Sequence, residues 1–141
     1  MSGLFEQGLE FAANHPVLVG SFVFLVGALF FTESRKGGAS IGTQVLVQLV
    51  NKSDAVVIDL RDSNEFSNGH IAGALNIPFT TLEKRIKEFA QYKDKPIVLV
   101  CKMGQHSSSA GKKLMAEGYQ DIRRLSGGMM EWTSSNLPVV K

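Results

Sequence analysis

Two stretches, AVVIDL (Ala55 to Leu60) and PIVLVC (Pro96 to Cys101), are runs dominated by apolar residues with no alternation of polar and apolar positions. A strand with one wet face alternates; runs like these belong to strands covered on both sides, the condition of a mainly parallel sheet with helices above and below. The segments around them fit such helices. In TQVLVQLVNK, Leu46, Leu49 and Val50 share one helical face. TTLEKRIKEFAQY opens with a capping-box pattern, Thr80 to Glu83, and spaces Leu82, Ile86, Phe89 and Ala90 along one side. Beyond Cys101 the pattern predicts a helix burying Ala110, Leu114 and Met115, a short strand near DIRRL, and a last helix around GGMMEWTSSN. The expected fold class is α/β, three layers around a central, mainly parallel sheet. At 141 residues the chain has room for one such domain and an appendage.

The appendage is N-terminal. No formal charge falls between Phe11 and Thr32, a stretch about as long as the ~20 helical residues that cross a bilayer core. A cleaved signal peptide would begin with basic residues, whereas Glu6 and Glu10 precede this run. A buried soluble helix would show a polar face, and Pro16 to Phe31 shows none. The expectation is a short extracytoplasmic N-terminus over 1–10, one transmembrane helix over 11–33, a small, Gly-rich linker over 34–42, and a folded domain over 43–141. All 15 Lys and Arg residues lie from Arg35 onward, which places the C-terminal domain in the cytoplasm and the N-terminus outside. Ala13, Gly20 and Gly27 recur seven apart, a spacing of small residues that would admit a transmembrane helix partner. The modest basicity lacks an Arg-rich block with interleaved aromatics, so nucleic acid is not an expected partner.

Cys101 is the chain's single cysteine, and it stands where an apolar strand ends and a polar loop, KMGQH, leads to a helix. Ligands of open α/β sheets gather at the carboxyl ends of strands. A helix N-terminus and nearby cations favour the thiolate, which is the nucleophilic form of cysteine. Gly104 lets the loop curl, Lys102 and His106 are electrostatic helpers, and Ser107 is a natural N-cap. The plainer alternative is a cysteine that ends a buried strand as an inert apolar residue. Elsewhere, His70 reads as a hydrogen-bonded structural histidine, Trp132 as core packing, and Asp62 with Glu65 as a helix start. No metal and no cofactor is expected.

Three stretches together resemble the rhodanese homology domain. VVIDLRDSNEFSNGHIAGALNIP (Val56 to Pro78) is similar to that family's early signature, VLVCKMGQHSSSAGKKLMAEGY (Val98 to Tyr119) to its active-site loop and helix, and LSGGMMEWTSSNLPV (Leu125 to Val139) to its closing motif. The layout, one N-terminal span and one such domain, resembles membrane-anchored bacterial members. The resemblance implies a rhodanese-like three-layer fold and transfer of a sulfane sulfur through a persulfide on Cys101. It also implies that the amides of Lys102, Met103, Gly104, Gln105, His106 and Ser107 cradle that sulfur. Asp59 and Arg61 match the family's Asp-x-Arg, as substrate or loop-organising residues. Phosphatases and arsenate reductases of related fold carry a longer loop ending in Arg; Ser107 stands there instead, which disfavours both. Met103 brings no charge to hold thiosulfate. With no second thiol in the chain the acceptor must be external: cyanide, a small thiol or a partner's cysteine. The alternative function is a catalytically idle rhodanese-like interaction module, tethered to the bacterial inner membrane to bind another membrane protein.

Overall fold

The computed structural model describes residues 2–34 and 37–141, in two compact units that divide after residue 35. The first unit is a pair of helices, α1 (Ser2–Asn14) and α2 (Pro16–Ser34). This corrects the expected single span over 11–33, because residues 11–14 belong to α1 and the chain breaks at His15. Proline drives the preceding residue out of the helical region and has no amide hydrogen to continue a ladder, yet it suits a helix's first turn. The His15 carbonyl accordingly accepts the Val19 amide at 3.1 Å and starts the second helix. Among the described residues no single helix is long and apolar enough to cross a membrane; Ser2–Asn14 and Pro16–Thr32 pass that test only as a pair bent by 99°. The break also splits the Ala13, Gly20 and Gly27 spacing, leaving Ala13 on α1 and both glycines on α2. Residues 2–10, expected as a short tail, are helical.

The second unit is a five-stranded sheet made of β1 (Ala39–Ile41), β2 (Val56–Asp59), β3 (Leu75–Asn76), β4 (Ile97–Val100) and β5 (Ile122–Leu125). Their spatial order is β1-β5-β4-β2-β3, and every pairing is parallel. Parallel neighbours need crossovers, and the intervening helices α3 (Thr43–Ser53), α4 (Ser63–Asn68), α5 (Leu82–Arg85) and α6 (Gln105–Ala116) supply them, while α7 (Gly128–Ser134) follows the last strand. β4 lies in the middle and its four residues have no exposed surface. Period-two alternation sends Ile97, Leu99 and Cys101 into a core with Ala110 and Leu114 of α6, and Val98 and Val100 into a second core with Leu46, Met129 and Trp132.

Three sequence expectations change here. The supposed linker over 34–42 contains β1, whose Ser40 pairs with Arg124, and Gly37 and Gly38 pack against α6 and β5; Arg35 and Lys36 lie outside the described residues. The helix expected over TTLEKRIKEFAQY is three short pieces: a 3₁₀ turn Phe79–Thr81, α5, and a 3₁₀ stretch Ile86–Tyr92 kinked at Phe89. Its N-terminus has no side-chain cap, Thr81 Oγ1 donating instead to the Pro78 carbonyl at 3.1 Å. Tighter winding keeps Leu82, Ile86 and Phe89 buried and turns Ala90 to solvent. On α6, Ala110 and Leu114 are buried as expected, but Met115 is 38% exposed and the small Ser107 and Gly111 take the inner positions.

Candidate active site

The register Asp59↔Val100 brings the carboxyl ends of β2 and β4 side by side, so the segments that follow them share one mouth. From the β4 end comes Cys101, whose Sγ accepts a hydrogen bond from the Gly104 amide at 2.9 Å. Gly104 has φ +90°, a backbone state that side chains disfavour, and it caps α6, which begins at Gln105. The amides of that first turn have no intrahelical acceptor, so the helix presents partial positive charge where the sulfur lies. Ser107 is inside the helix and not its N-cap: its buried hydroxyl donates to the Gly104 carbonyl at 3.0 Å and holds the loop shut. From the other side, the amides of Met129 and Met130 on α7 donate to the carbonyls of Cys101 and Lys102 at 2.8 and 3.0 Å. The loop is therefore pinned at both ends.

From the β2 end comes an ion pair. The buried Asp59 carboxylate accepts Arg61 Nε at 3.0 and 3.1 Å, Arg61 Nη2 at 2.8 Å and the Arg61 amide at 3.0 Å, and Nη2 donates also to the Gly69 carbonyl at 2.8 Å. Asn76 Nδ2 donates to the carbonyls of both residues. Asp59 is thus a loop organiser; removing either member of such a pair would strand a buried charge, at a cost of about 3–5 kcal/mol. Asp62 occupies the N-cap position of α4 without a side-chain capping bond. Glu65, three residues on, reaches the Lys102 ammonium at 3.4 Å.

Between the two ends lies a pocket of about 170 Å³, lined by Leu60, Arg61, Asp62, Glu65, Phe79, Thr80, Cys101, Lys102 and His106. Cys101 is only 3% exposed, and the pocket is its route to solvent. His106 lies flat on Phe79, ring centroids 4.7 Å apart, and Lys113 sits 5.0 Å over the same phenyl ring. Lys113 is held in turn by Glu83 at 2.8 Å, a hydrogen bond and charge that keep the Glu83 carboxyl below its ordinary range. Met103 is half exposed, and neither it nor Gln105 lines the pocket. Among the described residues no grouping of three or more His, Cys, Asp or Glu could hold a metal ion.

Of the residues singled out from sequence, the fold gathers Cys101, Lys102, His106 and Arg61 at the pocket, with Asp59 behind it. His70 is structural, its Nδ1 2.9 Å from the Phe66 carbonyl and its ring stacked on Phe66. Trp132 is buried, with Nε1 donating to the Pro138 carbonyl at 3.0 Å. Leu60, Phe79, Thr80 and the site role of Glu65 escaped sequence reasoning. The rule that neighbouring parallel strands share a carboxyl-end mouth, applied to the segment after β2, is the signal that finds Leu60 and Glu65.

The profile of the rhodanese-like domain matches residues 43–135. The chain belongs to the rhodanese family. The Escherichia coli (strain K12) protein YibN, described as uncharacterized, is 31% identical over 96% of this chain and 98% of its own length. A thiosulfate sulfurtransferase, GlpE of Shewanella oneidensis, is 36% identical over 64% of this chain and 88% of that protein. Among solved structures, a rhodanese-related protein from Thermoplasma volcanium superposes with a TM-score of 0.62 at 27% identity, covering 72% of this chain and 97% of that one. This rhodanese-like chain is thus similar along nearly its whole length to YibN, and over about two thirds of its length to a thiosulfate sulfurtransferase.

Proposed function

We propose that the protein is a sulfurtransferase that carries a sulfane sulfur as a persulfide on Cys101. The observation that supports this reading most directly is the Gly104 amide on Cys101 Sγ, inside a pinned loop at the head of a helix. In the first half-reaction the Cys101 thiolate attacks the outer sulfur of a donor R–S–SH. The donor's S–S bond breaks, R–S⁻ leaves, and Cys101 holds the new S–S bond. In the second half an external nucleophile, cyanide or a thiolate, attacks that outer sulfur and releases Cys101 as thiolate. No oxidant is needed, and no second cysteine of the chain takes part. The loop amides and the α6 N-terminus stabilise negative charge on the sulfur in both halves.

The same proposal seats the N-terminal pair in the bacterial inner membrane, with the rhodanese-like unit in the cytoplasm. Val17, Phe22, Phe24, Leu29 and Phe30 project from α2 on all sides and are well exposed. Pro16–Thr32 is roughly 25 Å long at about 1.5 Å per residue, short of the ~30 Å of a hydrocarbon core, and it is together with Ser2–Asn14 that it has the length and composition for a membrane. On α1, Leu4, Phe5, Leu9 and Phe11 are also exposed, apolar surface that the boundary of a bilayer can take up.

One preparation tests both parts. The full-length chain is recovered from the membrane fraction, washed with alkaline carbonate, solubilised in detergent and incubated with thiosulfate or cysteine persulfide. Intact mass should show an adduct of one sulfur, absent from Cys101→Ser and removed by cyanide. Release by carbonate defeats the membrane placement. Lack of an adduct with every donor defeats the enzyme and leaves the interaction module.

A further inference from the structure

The pocket is nominally rich in cations, yet none of them stands alone. The Arg61 guanidinium spends Nε and Nη2 on Asp59 and on the Gly69 carbonyl. The Lys102 ammonium, the cation next in sequence to the nucleophile, stands 3.4 Å from Glu65 Oε1, and both residues line the pocket. A further carboxylate, Asp62, lies in the same wall. The two cations of the lining, Arg61 and Lys102, are thus matched by its two carboxylates, Asp62 and Glu65, and Asp59 behind Arg61 adds a further negative charge. The rest of the lining is Leu60, Phe79, Thr80 and the ring of His106, which lies flat on Phe79.

Sulfur donors differ in the charge they bring. Thiosulfate arrives as a dianion and leaves as sulfite, another dianion: Cys–S⁻ + S–SO₃²⁻ gives Cys–S–S⁻ + SO₃²⁻. A thiol persulfide brings one negative charge at most on its reacting end, and it leaves as a thiolate. A small dianion must shed its water shell against cations that can take its charge, and here both are already engaged by carboxylates. Resting on the sulfurtransferase reading, we propose that Glu65 is the residue that selects the donor: by holding Lys102 across the pocket mouth it turns the site away from thiosulfate and towards thiol persulfides. Glu65 is the lever because it sits at the surface of α4, its side chain 40% exposed. Asp59, at 1% exposure, is bound into the β2 turn and cannot change without disturbing it.

The test reads charge at the sulfur without requiring turnover. Cys101 is the chain's single cysteine, so alkylation of the full-length protein in detergent, followed by intact mass, reports on one site. Its rate with the anion iodoacetate is divided by its rate with neutral iodoacetamide, which cancels changes in accessibility and thiolate fraction. Glu65→Gln should raise this ratio roughly threefold at low salt, with the gain fading at high salt and shrinking in the Lys102→Gln background. In a second arm, the same variant should shift sulfur loading of Cys101 towards thiosulfate, relative to cysteine persulfide, by a larger factor, since the donor carries two charges. An unchanged alkylation ratio, or an equal gain without Lys102, overturns the role of Glu65 and leaves the sulfurtransferase reading intact. Failure of every donor to load Cys101, alongside a raised alkylation ratio, instead overturns the sulfurtransferase reading and with it the choice of donor.

Discussion

At Gly104 a single hydrogen decides two things at once. Its φ of +90° lets the loop turn back after Cys101, and that turn aims its amide at Sγ. An added Cβ would meet nothing closer than ordinary contact distance, so the penalty of Gly104→Ala is conformational and not steric. It should cost about 1 kcal/mol of stability, read as a lower midpoint in denaturant. The loading of Cys101 with sulfur should fall much further, by an order of magnitude or more, because a loop that relaxes its φ re-aims the amide. Equal sulfur loading rates in wild type and variant would mean that the amide contributes nothing. The glycine's purpose was legible in the sequence because it stands three residues after a cysteine that ends a strand. The part played by Glu65 was not legible, since it depends on a neighbour from another strand's end.

Among the elements, the strands were the most readable and the segments joining them the least. AVVIDL and PIVLV announced themselves as β2 and β4 because burial on both faces leaves no polar position to blur the pattern. The residues read as a linker told another story once placed. Gly37 and Gly38 look like flexible spacers, yet they are close-packed: a Cβ on Gly111 of α6 would run into the backbone of Gly37. Close approach is what the glycines on both sides permit, and it delivers the chain into β1. Gly111→Ala, ordinarily a mild gain inside a helix, is expected here to destabilise the unit by about 1–3 kcal/mol. Thermal or denaturant unfolding of the two proteins side by side measures it, and a rise in stability would show that the contact is loose. The failed single helix at TTLEKRIKEFAQY has a similar origin. Its periodicity was genuine, but contact with the core wound it more tightly than an α-helix at both ends.

For the molecule as a whole, alkaline stability has an identifiable handle in Tyr119. Its ring is buried against Phe89, and its hydroxyl donates to the Ile86 carbonyl at 2.8 Å. Burial, and to a smaller degree the charge of Glu117, raises its pKa above the ordinary value of 10.0. An unfolded chain would ionise this phenol near that ordinary value while the folded one resists. The stabilisation is therefore present in full below about pH 10 and is lost as pH climbs through the raised folded value. Tyr119→Phe should lose about 1 kcal/mol at neutral pH with the hydrogen bond, and show a shallower fall in stability above pH 10. Parallel slopes for the two proteins would rule the handle out. At this scale, the amino-acid pattern by itself determined the α/β class, the parallel sheet, the strand that carries Cys101 and the loop that receives it, because burial periodicity and glycine placement are local properties of the chain. The tertiary structure alone decided that the N-terminal stretch bends at His15, that the supposed linker is a packed edge strand, and that Glu65 meets Lys102 in the pocket that Cys101 lines. Those outcomes depend on which surfaces approach one another in space, and one-dimensional spacing carries no record of that.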